Sequence, residues 1–298
     1  MKKLFLIGAL LFMGLSCADD IDDSGNVNTN RAPLVITVSN RLTTKGLLRG
    51  IYMPEGAELA VLLRASDGTR YDASTINNFK YTAVGEEASQ TWEVKKGEPI
   101  GLSNTIGTAY AFYPWSSADF SDLTVPITND GTDYMYADAP AENLSVSNSR
   151  ASFRMKHAMT VIRCRIVKGD YPRDGKITTV GVTSDGLATS AKMDLPNATI
   201  IEHQGVGTEI QAKNIGNMSS TPLETTLWGI ATNTTGVLNF RVVADGDVYL
   251  ASTPELTLQP GVIYTYTITV NALSMTVSKA SIEHWDYIPA ESLTPDVV

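Results

Sequence analysis

The sequence has 298 residues, of which 43% are hydrophobic and only 18% are charged, and this excludes a disordered chain or a coiled coil. A net charge of −9 argues against a non-specific nucleic-acid binder. Two cysteines and three histidines exclude a disulfide scaffold and argue against a structural zinc site. What remains is an acidic globular protein, and its length predicts about two domains.

The first sixteen residues have the pattern of a secretory signal. Lys2 and Lys3 precede an apolar run over residues 4–15, which is too short to cross about 30 Å of hydrocarbon as a helix. The run ends in Ser16-Cys17, and a small residue before a cysteine at this position resembles a bacterial lipobox. We therefore predict that residues 1–16 are removed and that Cys17 is lipidated; simple secretory cleavage near Ser16 is the alternative.

Residues 17–32 form an acidic segment behind this cysteine. Four of the five residues 19–23 are aspartates, and serine, glycine and asparagine follow them. Such a composition cannot form a core, so we interpret the segment as a solvated tether. The run also resembles the surface-export signal of lipoproteins in some Gram-negative anaerobes, with an ordinary acidic linker as the alternative. A surface-export signal behind a lipidated cysteine predicts an outer-membrane lipoprotein at the cell surface.

From residue 33 onward, apolar residues recur with a period of two. Leu34, Ile36 and Val38 alternate with Val35, Thr37 and Ser39, and a similar alternation runs through the segment 263–270. Further strand candidates are residues 59–64, 91–94, 108–113, 158–167, 176–183, 225–231, 238–243 and 248–250. Turn pairs such as Asp245-Gly246 separate them. No long segment keeps a helical period, so the predicted class is all-β with antiparallel sandwiches.

A domain boundary is expected near residue 150. Residues 137–149 are small and polar and include Pro140. The predicted organisation is therefore a signal peptide (1–16), an acidic tether (17–32), an N-terminal β-sandwich (33–150) and a C-terminal β-sandwich (151–298).

The sequence contains no recognisable catalytic or metal-binding constellation. Cys164 shares one strand face with Ile162 and Ile166, which predicts a thiol in the core, whereas Arg163 and Arg165 point the other way. His157 lies about 23 Å from it along a strand, too far for direct proton transfer. We therefore predict a protein that is not an enzyme and that uses no cofactor. The alternative function is a surface glycan-binding β-sandwich lipoprotein, which would use exposed aromatic residues such as Trp92 or Trp285.

Six segments, taken in order, carry a family resemblance. They are the lipoprotein start with the strand at 34–38, the Arg-Gly and Gly-Ala-Glu-Leu-Ala-Val stretch at 49–61, the Tyr-Ala-Phe-Tyr-Pro-Trp run at 110–115, residues 153–162 around His157, residues 256–264 broken by Pro260-Gly261, and the closing set Ala280, Ile282 and Trp285. Together they resemble the fimbrillin family, the major fimbrial subunit and Mfa-like proteins of type V pili.

The resemblance implies two transthyretin-like antiparallel β-sandwich domains in tandem. It also implies a structural pilus subunit that is exported as a lipoprotein, activated by an Arg-specific protease and polymerised by donor-strand exchange in support of adhesion. The first strand, with Leu34, Ile36 and Val38, would be released and replaced by an extended segment of the next subunit. The implied partners are other pilus subunits, the protease and the outer membrane; no nucleic acid is expected.

Two further assignments follow from the resemblance. Arg49 matches the family's processing position, and Arg41, directly after the first strand, is the alternative. The donor segment is expected near the C-terminus, centred on Ile282, Trp285 and Ile288. Ile282 and Trp285 fall on opposite faces of a regular strand, so this segment alternates imperfectly.

Overall fold

A computed structural model of the chain describes residues 31–40, 53–71, 78–85, 90–94, 100–219 and 221–285. These ranges contain strands and turns and no α-helix, which confirms the predicted all-β class. Within the same ranges, no helix has the length and apolar character needed to cross a bilayer.

An eight-stranded sheet forms the first part of the fold. A short strand, β1 (Ala32–Pro33), pairs with β6 (Gly101–Leu102) beside it. The strands of the large sheet are β2 (Val35–Asn40), β3 (Glu58–Ala65), β4 (Asn78–Val84), β5 (Thr91–Glu93), β7 (Gly107–Tyr113), β9 (Met135–Ala137), β10 (Ala141–Leu144) and β11 (Arg150–His157). Their order is β2-β11-β9-β7-β3-β4-β5, with β10 paired to β7. Because β2 also contacts β5, the two edges of the sheet approach each other.

Both faces of this sheet are covered, as the central strand β3 shows. Leu59, Val61 and Leu63 belong to a buried cluster on one face, whereas Ala60 and Leu62 belong to a second cluster on the other. Successive side chains of a strand point to opposite faces, so a strand buried on both sides carries a continuous apolar run. This explains why residues 59–63 are apolar without alternation.

A β-sandwich forms the second part. Its five-stranded sheet contains β12 (Thr160–Lys168), β14 (Leu187–Ala188), β18 (Leu223–Ala231), β23 (Val262–Val270) and β24 (Met275–His284), in the order β14-β18-β12-β23-β24. Its four-stranded sheet contains β13 (Lys176–Thr183), β17 (Ile210–Asn217), β20 (Asn239–Ala244) and β21 (Asp247–Ser252), in the order β17-β13-β20-β21. Alternating residues from both sheets, such as Ile166 and Phe240, share one buried cluster.

Smaller sheets connect the two parts. The three-stranded sheet has the order β16-β15-β8, from β8 (Thr124–Thr128), β15 (Ser190–Asp194) and β16 (Thr199–Gln204). Two short strands, β19 (Thr235–Gly236) and β22 (Leu256–Thr257), pair with each other. A buried cluster combines residues of the eight-stranded sheet, the three-stranded sheet and the sandwich, among them Phe112, Met193 and Trp228. This cluster joins the first part of the fold to the second.

The sheets do not divide at residue 150. Strand β11 pairs with β2 and β9, so the first sheet extends to His157. Strand β8 precedes residue 150 but pairs with β15. The division into 33–150 and 151–298 therefore stays an expectation, and the chain passes from the first sheet to the sandwich between His157 and Thr160.

The turn predicted at Asp245-Gly246 joins β20 to β21. Asp245 has φ 47° and Gly246 has φ 89°, both in the left-handed region that a two-residue hairpin turn requires. The Asp245 carboxylate also accepts hydrogen bonds from the backbone N–H groups of Gly175 (2.8 Å) and Lys176 (3.0 Å). Turn geometry and backbone capping therefore explain this aspartate.

Candidate functional site

The predicted first strand corresponds to Leu34 together with β2, which follows the short β1 and lies at an edge of the eight-stranded sheet. It pairs in parallel with β11, from Val35 opposite Arg150 to Asn40 opposite Met155. Leu34 is 2% exposed and Ile36 is 5% exposed, whereas Val35 between them is 42% exposed. Val38, the third residue of the inward face, is half-buried.

The inward side chains of this strand lie in a cluster that the surrounding sheet forms. Leu34 and Ile36 share it with residues from β3, β4, β7 and β11, and the largest of these are Tyr81 and Phe153. Without β2, the cluster would open to solvent along this edge. We call this position the first-strand groove.

Backbone and side-chain hydrogen bonds hold the start of the strand in the groove. The Leu34 N–H donates to the carbonyl of Ile100 (2.8 Å), and the Val35 N–H donates to that of Ser149 (2.9 Å). The Tyr81 hydroxyl donates to the Leu34 carbonyl (3.1 Å). Burial raises the pKa of Tyr81 well above its usual value, so the phenol keeps this donor proton at neutral pH.

Replacing Tyr81 with phenylalanine is expected to loosen the first strand. The change removes one buried hydrogen bond, a loss of about 1 kcal/mol in the free energy of unfolding. Hydrogen exchange should be faster in peptides covering residues 32–40. The matched control is Tyr171→Phe, because the Tyr171 hydroxyl bonds Ala244 and Asp245 in the sandwich. If both variants changed exchange at 32–40 equally, the Tyr81 bond would have no specific role there.

Several of the predicted site residues lie outside the described ranges. These are the lipidation site Cys17, the processing candidates Arg49 and Arg41, and the donor residue Ile288. The described chain resumes at Met53, whose N–H donates to the Gln90 side chain (3.2 Å) and whose carbonyl accepts from it (2.6 Å). The segment 41–52, with both arginines, therefore connects β2 to Met53, which precedes β3 in the chain and is anchored by Gln90.

The C-terminal strand β24 is also an edge strand. It pairs antiparallel with β23, from His284 opposite Val262 to Met275 opposite Val270. A bulge at Ala280 lets Ser281 pair with Thr265 and Lys279 with Tyr266. Because the bulge shifts the alternation, Ile282 lies on the same face as Met275 although their numbers differ in parity. Ile282 is 49% exposed.

Trp285, directly after β24, is buried in the cluster that joins the two parts of the fold. It is 3% exposed. Its ring stacks on His157 with centroids 4.4 Å apart and an interplanar angle of 3°, and it contacts Trp228 edge-on at 4.8 Å. The backbone N–H of Trp285 donates to the Gly261 carbonyl (2.8 Å). Trp285 is therefore covered by its own chain in this structure.

His157, the last residue of β11, is also buried. Its Nδ1 lies 2.7 Å from Asp133 Oδ1, and its Nε2 has no hydrogen-bond partner among the described residues. The alternation of Ala151, Phe153 and Met155 with polar residues could have placed His157 inward. Nothing local in the sequence indicates Asp133 or Trp285 as its neighbours, because these contacts depend on the tertiary fold.

The remaining candidates for chemistry lie in structural positions. Cys164 is fully buried between Ile162 and Ile166, and burial raises the pKa of its thiol to about 12, which opposes thiolate formation. In the ranges that the structure describes, no three histidine, cysteine, aspartate or glutamate side chains gather as a metal site. Trp92, one of the two aromatics considered for glycan stacking, is half-buried and packs against the buried cluster that contains Leu34 and Ile36.

Sequence comparison identifies the family. A family model described as fimbrillin-like matches residues 51–285, which span both parts of the fold. The chain belongs to the fimbrillin-like family. The resemblance read from the six sequence segments is therefore confirmed. No curated protein sequence matches the chain.

Solved structures share the fold of this fimbrillin-like chain. A proposed cell adhesion protein from Bacteroides uniformis superposes with a TM-score of 0.63 at 17% identity, covering 87% of this chain and 100% of the other. One from Bacteroides ovatus gives a TM-score of 0.56 at 16% identity, with 86% and 98% covered. One from Bacteroides fragilis gives 0.56 at 12% identity, with 84% and 98% covered. At these identities the likeness establishes the shared fold.

Proposed function

We propose that this protein is a structural subunit of a fimbria that polymerises by exchange of its first strand. The observation that supports this most directly is the position of β2. It is an edge strand that fills a groove with Leu34 and Ile36, and β11 is its ladder partner. Membership of the fimbrillin-like family supports the role of pilus subunit. The corresponding location of the subunit is the cell surface, in fimbriae that support adhesion.

The energetics favour refilling of the groove once β2 is lost. Burying an aliphatic side chain contributes about 1.5–3 kcal/mol, and each ladder hydrogen bond contributes about 1 kcal/mol. An open groove leaves apolar surface and unpaired backbone groups in water. An extended segment of a second subunit can occupy it by β-augmentation, with alternate side chains taking the positions of Leu34, Ile36 and Val38.

Processing and export complete the proposal. An Arg-specific protease cuts after Arg49, in the segment that connects β2 to β3, with Arg41 as the alternative. Cys17 carries the lipid that holds the subunit at the outer membrane before assembly, after removal of residues 1–16. The pattern of a short apolar run ending in Ser16-Cys17 supports this export route.

The proposed donor segment lies at the other end of the chain, around Ile282, Trp285 and Ile288. Among the described strands, β24 has a single ladder partner, β23, so it can be exchanged without opening the middle of a sheet. The bulge at Ala280 sets Ile282 on the face that Met275 and Val277 occupy. Departure of this segment also requires that Trp285 leave the buried cluster that joins the two parts of the fold.

Limited digestion of the membrane-extracted protein tests the proposal. Arg-specific protease should yield one discrete N-terminal nick, N-terminal sequencing should read Gly50 as the new start, and electron microscopy should show polymers. Mass spectrometry of the uncut form should find acyl chains on Cys17. Digestion to many fragments without polymers would contradict the assembly proposal. Glycan binding without a discrete nick would favour the glycan-binding alternative.

A further inference from the structure

One strand, β11, contacts both ends of the described chain. Its residues 150–155 form the parallel ladder with β2. Its last residue, His157, carries the ring on which Trp285 stacks. The strand to be released and the segment to be donated therefore meet the same structural element, at opposite ends of it.

The first half of β11 depends on β2 for its backbone pairing. On its other side, β11 pairs with β9 only through residues 155–157. One further backbone bond runs from the Asp138 N–H to the Arg154 carbonyl (2.8 Å). Among the described strands, residues 150–153 have β2 as their ladder partner. Their inward side chains, Ala151 and Phe153, share a buried cluster with Leu34 and Ile36. Loss of β2 therefore removes both the ladder and part of the packing of this half.

The second half of β11 positions Trp285 through two connections. The first is the stacked pair of rings, in which Nδ1 at the edge of the His157 ring lies 2.7 Å from Asp133 Oδ1. The second is a backbone relay that follows β11: the Gly261 N–H donates to the Met159 carbonyl (2.7 Å), and the Gly261 carbonyl accepts from the Trp285 N–H (2.8 Å). If the end of β11 moves, both the ring stack and the backbone bonds through Gly261 therefore change the position of Trp285.

We propose that β11 couples the first strand to the C-terminal segment. With β2 in its groove, β11 holds His157 and Met159 in place, and Trp285 keeps β24 on its own subunit. When β2 leaves, the first half of β11 loses its partner, the contact with Trp285 weakens, and β24 becomes available for exchange. This inference rests on the proposed pilus assembly, because it names the regulation of the donor segment by the processed strand.

Hydrogen exchange of the full, uncut chain tests the coupling. Ile36→Ser weakens docking of β2 without cutting it, and exchange should become about tenfold faster in peptides covering both 150–157 and 275–285. The control is Leu63→Ala, a buried residue of the same cluster on β3, which does not pair with β11. In the control, exchange at 275–285 should match that of the wild type.

A second variant separates the coupling from general loosening. His157→Ala removes the stacked platform, so exchange at 275–285 should already be fast, and adding Ile36→Ser should not accelerate it further. His203→Ala is the matched control, because this half-buried histidine bonds the Ala231 carbonyl and stacks on no described ring. In that background, Ile36→Ser should keep its full effect at 275–285.

Two outcomes would overturn the coupling. In the first, Ile36→Ser accelerates exchange at 150–157 and leaves 275–285 unchanged. In the second, Leu63→Ala accelerates 275–285 as much as Ile36→Ser does. Polymer formation after Arg-specific digestion, measured on the same proteins, keeps the two proposals apart. Polymers without coupled exchange overturn only the coupling, whereas coupled exchange without polymers overturns only the assembly proposal.

Discussion

An Arg49→Ala chain is expected to stay full-length and monomeric after incubation with an Arg-specific protease. While the segment 41–52 is intact, β2 remains tethered beside its own groove. A tethered strand competes at an effective concentration of the order of millimolar, which a strand from another subunit in solution does not reach. Cutting after Arg49 removes this advantage, because a strand that dissociates is then diluted.

Gel analysis, N-terminal sequencing and size-exclusion chromatography measure this effect, and Arg41→Ala is the matched control. The control chain keeps Arg49 and should be cut and should polymerise like the wild type. If the Arg49→Ala chain is still cut and polymerises while the Arg41→Ala chain does not, processing occurs at Arg41. If both variants give the same new N-terminus as the wild type, the released segment ends at neither arginine.

The strands with strong apolar patterns could be predicted from the sequence. The prediction at 176–183 matches the bounds of β13, and the one at 59–64 lies within β3. Strands β16 and β17 were missed because only one residue of each is buried, so no apolar alternation marks them. Both also contain a residue with positive φ, Glu202 (53°) and Asn214 (55°), beside irregular pairing.

The candidate site could be predicted only in its local features. The alternation around Ile36 indicates which side chains of the first strand face inward, since this depends on neighbouring residues alone. The parallel pairing of β2 with β11 joins segments far apart in the sequence, and a single sequence carries no signal for it. The same holds for the contact between His157 and Trp285. Pairings of this kind follow from the packing of the whole domain.

Truncating the chain after Lys279 is expected to abolish polymerisation and leave the first sheet folded and cleavable. Among the described residues, the buried cluster around β2 contains only residues between 34 and 155, so the truncation removes none of its members. The joining cluster loses Trp285, which costs about 3–5 kcal/mol in the free energy of unfolding. The truncated chain also lacks Ile282 and the rest of the proposed donor segment. Electron microscopy after Arg-specific digestion measures the result.

Full-length Trp228→Ala is the control that separates loss of the donor from damage to the core, because Trp228 packs in the same buried cluster and is not part of the proposed donor segment. It loses a buried tryptophan from the cluster that the truncation also damages, so its denaturation midpoint should also fall. It keeps Ile282, Trp285 and Ile288, and it should still polymerise after cleavage. If it fails to polymerise as the truncated chain does, the damaged core explains both results and the donor assignment loses its support. Polymers of the truncated chain would show that the exchanged strand lies elsewhere.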